Sequence, residues 1–321
     1  MNEQAFVEKR EQDWQRLTRL CDVADAGASR LTGAEVREFV KLYRRVSTDL
    51  ALARTSSTNS VLVDFLNDLV GRAYATLYRE PRPSVLKSIA LGVALAAQTV
   101  RRRKWFVLTS AAIFFGSAFF SFFLLSAFPD TRDVLIPPGV EKLFGGWKKG
   151  EFEERSTSTS FIMTGFYANN NPRVAVIAGA VGAGTFGVAS VYMVFENGAM
   201  LGSLAHEVNE VGNLDFLVSS VAPHGVPELS GAIVGGSAGL LLGWALINPG
   251  RRSRSAALKA VGRDAIVLLA TSVILMFIAA PIEGFFSFNP RVPGAAKVLV
   301  AVVSLAAWLV FWSRYGRTAE E

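Results

Sequence analysis

Cysteine is nearly missing: Cys21 stands alone among 321 residues, so neither an intrachain disulfide nor a cluster of thiolate metal ligands can form. A single thiol in a helical stretch reads as an ordinary core residue rather than a reactive one. Histidine is scarce as well, with only His206 and His224. No nucleophile–base pair, phosphate-cradling glycine loop or spaced set of metal ligands is present, so no cofactor, metal or catalytic residue is expected from the pattern. The opening MNEQAFVEKREQDW lacks the apolar centre of a signal peptide. Any membrane insertion is therefore expected to use an internal segment, with nothing cleaved.

Apolar residues are abundant by contrast. They make up 51% of the chain, mean hydropathy is +0.33, and they fall in long blocks, which an ordinary soluble domain does not do. The net charge of +6 invites a nucleic-acid reading. The basic residues, however, gather at the ends of apolar blocks, where they set membrane orientation, and no nucleic-acid partner is expected.

Residues 1–100 read as a cytosolic helical domain. Val36, Phe39, Val40, Tyr43, Val46, Leu50 and Ala53 recur at spacings of three and four within Leu31–Arg54, and Thr32 with Glu35 forms a capping box. Phe6–Ala24 and Val61–Tyr78 carry the same pattern, and REPRPS ends the third helix.

From residue 101 to 317 the chain reads as a transmembrane domain, so the fold class is all-α: a polytopic membrane protein with an N-terminal helical bundle. Arg101–Lys104 precede the 24 uncharged residues 105–128, long enough to cross a bilayer core of roughly 20 helical residues. Further runs lie at 174–195, 229–249, 265–282 and 294–312. Arg101–Lys104, the group Arg251, Arg252, Arg254, Lys259 and Arg263, and the pair Arg314 and Arg317 should share the cytoplasmic side. Parity then demands a fourth crossing between the first two groups, and the short run 214–223 is assigned to it. Six crossings follow, with both termini inside. The inner loop Glu196–Asn213 fits poorly, having Glu196, Glu207 and Glu210 but no basic residue. Residues 129–173 become an extracytoplasmic segment whose GWKKGEFEERSTSTSF stretch reads as helical and surface-bound, either a docking element or a connector.

His224 and Glu228 sit in the short run's ending, among Pro223, Gly225 and Pro227. The prolines and glycine argue for a helix break, so the two residues are not expected to share a helix face. The favoured reading is structural: Pro227 starts the next helix, Glu228 caps it, and His224 ties down loop carbonyls. Glu283 falls level with the break, and His224, Glu228 and Glu283 can form a polar cluster that holds a proton or an ion. His206 is assigned to the opposite side. Gly231, Gly235, Gly239 and Gly243 repeat every four residues, and Gly179, Ala183 and Gly187 do likewise within 174–195; such faces let helix backbones approach in lipid, within one chain or between two copies.

The motif Pro223-His224-Gly225 with Glu228, Asn197-Gly198, the pair Asn170-Asn171 and Glu283-Gly284 together resemble the stage II sporulation protein M family of prokaryotic membrane proteins. LYRRVSTDLALAR and FLNDLVGRAYATLY are similar to its cytosolic helical region, whereas Ser230-Gly231 stands where the family usually has Pro-Ala. The resemblance implies a multi-pass protein of the prokaryotic cell membrane that partners other envelope proteins, including peptidoglycan-remodelling factors, without being a hydrolase itself. Its motif residues His224, Glu228, Glu283, Asn197, Asn170 and Asn171 are the candidate functional positions. A non-enzymatic membrane scaffold is the expected function. A transporter or channel built on the broken helix, and an intramembrane metal-dependent hydrolase, are the alternatives.

Overall fold

The structure, a computed structural model, describes residues 3–25, 31–78 and 84–317. Every regular element among them is helical, and the chain divides into two compact units, 1–84 and 85–321.

Three helices make the first unit: α1 (Glu3–Asp25), α2 (Gly33–Ser56) and α3 (Ser60–Leu77). The capping box at Thr32 and Glu35 starts α2, and the Asn59 side chain accepts from the backbone N–H groups of Val61 and Leu62 to start α3. Leu17, Phe39, Val46 and Leu66 fill the core. One polar group is admitted to it. Asp49 is buried, accepts a hydrogen bond from Trp14 Nε1 at 3.0 Å and pairs with Arg10 at 3.3 Å. Residues 79–83, including the proline-rich end assigned to the third helix, lie outside the described residues. Cys21 is fully buried, and burial pushes its thiol up. A smaller thiolate fraction and a closed core act together, so the native chain should react with an aromatic disulfide reagent far more slowly than the denatured chain. Equal rates would place Cys21 at the surface.

The second unit begins at Val85, not near residue 100. Its first helix, α4 (Val85–Arg102), is tied to the C-terminal end of the same unit. Gln98 donates to the Gly316 carbonyl at 2.6 Å, and Arg101 donates to the Trp312 and Tyr315 carbonyls. Then come α5 (Lys104–Ala127), a 3₁₀ turn at Pro129–Thr131, the single-turn α6 (Arg132–Leu135), α7 (Pro138–Lys148), α8 (Thr157–Gly184) and α9 (Val188–Glu210). The long α10 (Leu214–Ile247) is followed by α11 (Arg254–Pro281), a π-helical turn (Ile282–Ser287) and α12 (Gly294–Arg314). Among the described residues, four helical spans have the length and apolarity to cross a membrane: α5, α10, α11 with its π turn, and α12.

Side-chain contacts sort the loops into two ends. At the lower end Asp264 binds both Arg102 (2.6 Å) and Arg103 (2.8 Å), and Arg254 lies over the Phe186 ring. At the upper end Glu207 meets Arg132 and Lys148, and Glu154 meets Arg291.

Four helix boundaries differ from those the sequence suggests. The run 174–195 is not one helix. It is cut at Thr185–Gly187, where Phe186 has φ 53° and Gly187 φ 87°. The Gly187 N–H reaches back to the Gly182 carbonyl at 2.9 Å, a Schellman ending, and Thr185 Oγ1 accepts from the Ala189 N–H at the start of α9. Residues 157–173 are not a connector. Ser156 caps α8, which runs unbroken through Pro172. The GWKKGEFEERSTSTSF stretch is helical only to Lys148; Gly150 turns with φ 75°, and helix resumes at Thr157.

The fourth difference matters most. Leu214–Pro223 and 229–249 are not two helices but one, since α10 continues through Pro223 and Pro227 for 34 residues, about 51 Å at 1.5 Å per residue. An interior proline costs about 3 kcal/mol. A true break would strand several more backbone groups where lipid offers no partner. Packing settles the balance, because α10 is the most enclosed of the apolar spans. The extra helix in this region comes instead from the α8–α9 hairpin, which divides the run 174–195. The loop after α9 lies at the upper end, where Asn213 donates to the Lys148 carbonyl.

Glycine lets α10 be enclosed. A Cβ at Gly235 would stand 3.0 Å from the Ala175 carbonyl, one at Gly239 2.7 Å from the Ala178 carbonyl, and one at Gly243 would strike the Gly187 backbone. A Cβ at Gly231 would stand 3.1 Å from the Ser272 carbonyl of α11, and one at Gly179 2.8 Å from the Gly235 carbonyl. Gly187 belongs to the hairpin turn rather than to a helix face. Serines stitch the same seams: Ser272 donates to the Gly231 carbonyl at 2.6 Å and Ser190 to the Ala178 carbonyl at 2.5 Å. Gly239→Leu should cost the bundle about 1–3 kcal/mol or more and lower folded yield in detergent. Gly116→Leu, at an α5 position with open space around it, should behave like the parent. Equal melting of the two variants would show that the glycine seam is not under packing constraint.

Candidate functional site

Because α10 is continuous, residues four apart share a face. His224 and Glu228 therefore stand one turn apart, with Nε2 and Oε2 separated by 3.8 Å. That geometry is the one their proline surroundings argue against, and unbroken helix restores it. Glu228 is not a helix cap, and His224 does not hold loop carbonyls. Instead His224 Nδ1 lies 2.8 Å from Ser287 Oγ.

Ser287 and Glu283 both come from the π turn that extends α11. One extra residue per turn re-aims side chains that a regular helix would direct elsewhere. Gly284 lets this turn seat closely, since a Cβ there would run into Thr164 Oγ1 and come within 3.0 Å of the Ser160 carbonyl. As a result one ligand atom from each of His224, Glu228 and Glu283 lies within 4.8 Å of the others. On the α8 side, Asn171 donates to Glu228 Oε1 at 3.0 Å. The remaining oxygens, Glu228 Oε2 and Glu283 Oε2, are buried with no hydrogen-bond partner among the described residues. His206 is near the upper end too, not on the opposite side, but is not part of this cluster.

His224 and Glu228 border a cavity of about 350 Å³. Its other polar walls are Asn170, Asn171 and Asn197, and the rest is largely apolar, with Phe114, Val194, Leu201, Ala232 and Met276 among the lining side chains. Asn197 reaches the cavity because Gly198 beside it allows α9 to lie against the Phe114 carbonyl of α5. Asn170 and Asn197 are exposed, so the chamber opens between α8 and α9, near the middle of both helices. The sequence places five of its six candidate polar residues on this wall, and the sixth, Glu283, completes the cluster beside it.

Phe144 and Trp147 of α7 also line the cavity, and sequence reading did not select them; only the glycines around Trp147 hint at close packing. The Trp147, Phe152 and Phe288 rings meet at centroid distances of 4.8–5.4 Å, and Phe288 lies 5.7 Å from the His224 ring. This aromatic cover is fastened by Glu207, which takes Arg132 at 2.8 Å and Lys148 at 2.7 Å, and by Asn213, which donates to the Lys148 carbonyl at 2.8 Å. Glu207→Gln should loosen the cover by about 1–2 kcal/mol, less than a fully buried pair because Arg132 and Lys148 remain a third exposed. Hydrogen exchange should then quicken in 132–148 and stay unchanged in α10. Unchanged exchange in 132–148 would assign the fastening to the aromatic contacts alone.

The family profile described as Stage II sporulation protein M matches residues 106–288, more than half of the chain, and it contains the cavity, the cluster and the α7 cover. Residues 4–79 match a domain of unknown function, DUF8413, which coincides with the three-helix unit. Comparison with curated proteins and with solved structures finds no match. The resemblance carried by Pro223-His224-Gly225, Glu228, Asn197-Gly198 and Glu283-Gly284 thus has its counterpart in a match that contains all of these motifs, and the chain belongs to the stage II sporulation protein M family of all-α membrane proteins.

Proposed function

We propose that this membrane protein acts by holding a ligand in the chamber between α8, α9 and α10, with the polar part of the ligand against Asn170, Asn197, His224 and Glu228. The observation that carries the reading is the cavity itself, apolar over most of its wall and polar at one convergent group of side chains. Sites for small ligands have that composition and start at about 300 Å³. An opening between two helices suits an amphiphile arriving from the bilayer. The broken-helix motive for a transporter is gone with α10 continuous.

The setting we propose is the cell membrane, with six helices crossing and the lower end, rich in arginine, facing the cytoplasm. Ser158 and Ser253 are exposed near opposite ends, so Ser158→Cys should label from outside intact cells and Ser253→Cys should not. Labelling of both from one side would refute this orientation. A non-enzymatic scaffold is the second reading, favoured by the N-terminal unit with its own core; there the partners are envelope proteins, peptidoglycan-remodelling factors among them.

Asn170→Leu and Asn197→Leu separate the two. Both positions are exposed, so the variants should melt like the parent. On the chamber reading, native mass spectrometry of the full chain in mild detergent should show a co-purifying molecule that both variants lose. A parent that carries nothing, or variants that carry the same molecule, would leave the scaffold as the function.

A further inference from the structure

Two carboxylates that face each other, each with one oxygen buried and unpartnered among the described residues, are costly to a fold. An ionised carboxylate away from water needs an opposite charge or a full set of donors. Glu283 is 92% buried, as its exposure of 8% implies, and its Oε2 has no hydrogen-bond partner. Glu228 Oε2 is in the same condition. Tyr167 and Asn171 hydrogen-bond to Glu283 and the Arg155 charge acts on it without a close ion pair; the Arg155 guanidinium lies over the Phe288 ring at 4.8 Å. The third member of the group is an imidazole, whose Nε2 points toward Glu228 while its Nδ1 is occupied by Ser287.

We propose that His224, Glu228 and Glu283 bind one divalent transition-metal cation of the zinc type. The donor set decides the class. One imidazole nitrogen with two carboxylate oxygens suits zinc and its neighbours, whereas magnesium and calcium prefer oxygen alone. Three protein ligands, two of them on the cavity wall, leave room in the coordination sphere for water or a ligand group, as in sites where the metal acts on what binds beside it. Ser287 is the positioning residue. It engages Nδ1 and so leaves Nε2 as the coordinating nitrogen, the arrangement by which metal-bound histidines are ordinarily oriented. Asn171 does the same for Glu228 through Oε1. The cation also accounts for the orphaned oxygens, since both become ligands.

The inference names the ion of the same cavity and therefore rests on the chamber being the working site. Its test uses the full, untagged chain in detergent, stripped with a chelator, incubated with zinc alone and desalted. Elemental analysis should give about one zinc per chain. His224→Gln and Glu283→Gln should both lose it, and Ser287→Ala should keep it with affinity about 10–100-fold weaker. Should the ligand variants fail to fold, cobalt loaded into the parent provides the readout, through visible absorption of nitrogen- and oxygen-ligated cobalt that zinc displaces. A stripped parent that takes up neither metal overturns the proposal, and so does uptake that His224→Gln and Glu283→Gln leave intact. If zinc fails while Asn197→Leu still loses a co-purifying molecule, the cation alone is wrong and the chamber stands.

Discussion

Everything in the membrane unit depends on how closely α10 is approached by other backbones. Gly235, Gly239 and Gly243 admit α8 and the α8–α9 turn, and Gly231 admits α11. In lipid there is no hydrophobic drive to bring helices together, so association rests on such contact and on the serine hydrogen bonds that accompany it. Once enclosed on several sides, α10 has nowhere to break. The two prolines are then tolerated inside a helix that would bend or end in isolation, and His224 and Glu228 fall on one face. The polar cluster is thus a consequence of glycine packing a turn or more below it.

The cluster's partners arrive by different routes. Glu283 and Ser287 come from a π turn, Asn171 from the middle of a helix that carries Pro172, and Asn197 from a helix brought in by Gly198. Asn197 and Glu283 each have a glycine neighbour that lets the backbone come near, Gly198 against Phe114 and Gly284 against Thr164 and Ser160. That pairing explains why the motifs read as polar–glycine couplets: Asn197-Gly198 and Glu283-Gly284 supply one group for the site and one gap for the packing.

The sequence disclosed much of this. Composition and the uncharged runs were enough for an all-α membrane protein, and the three-and-four spacing with the capping box marked the N-terminal bundle. The polar candidates were legible because ionisable groups amid apolar runs have few bland explanations. What was misread was local. Pro223 and Pro227 signal a break by propensity, and tertiary enclosure overrides it. The turn at Thr185–Gly187 lies hidden in a stretch of uniform apolarity, since Phe186 in the left-handed region leaves no sequence mark. Counting basic clusters asked for one more crossing but assigned it to 214–223, which the structure makes part of α10. Phe144 and Trp147 escaped notice because contacts across the fold, not spacing, bring them to the cavity.

The π turn at Ile282–Ser287 has a consequence of another kind. It makes the cluster a matter of chain length as well as of residue type. A π turn is a helix with one residue too many, and that surplus carries the rotation between α11 and the residues that follow it. Removing any one residue there would restore regular winding and swing the later side chains by about 100°, without altering the chemistry of a single ligand. The segment should therefore tolerate conservative replacement at many positions and shortening at none, so that its constraint in related chains would be read in gaps rather than in mismatches.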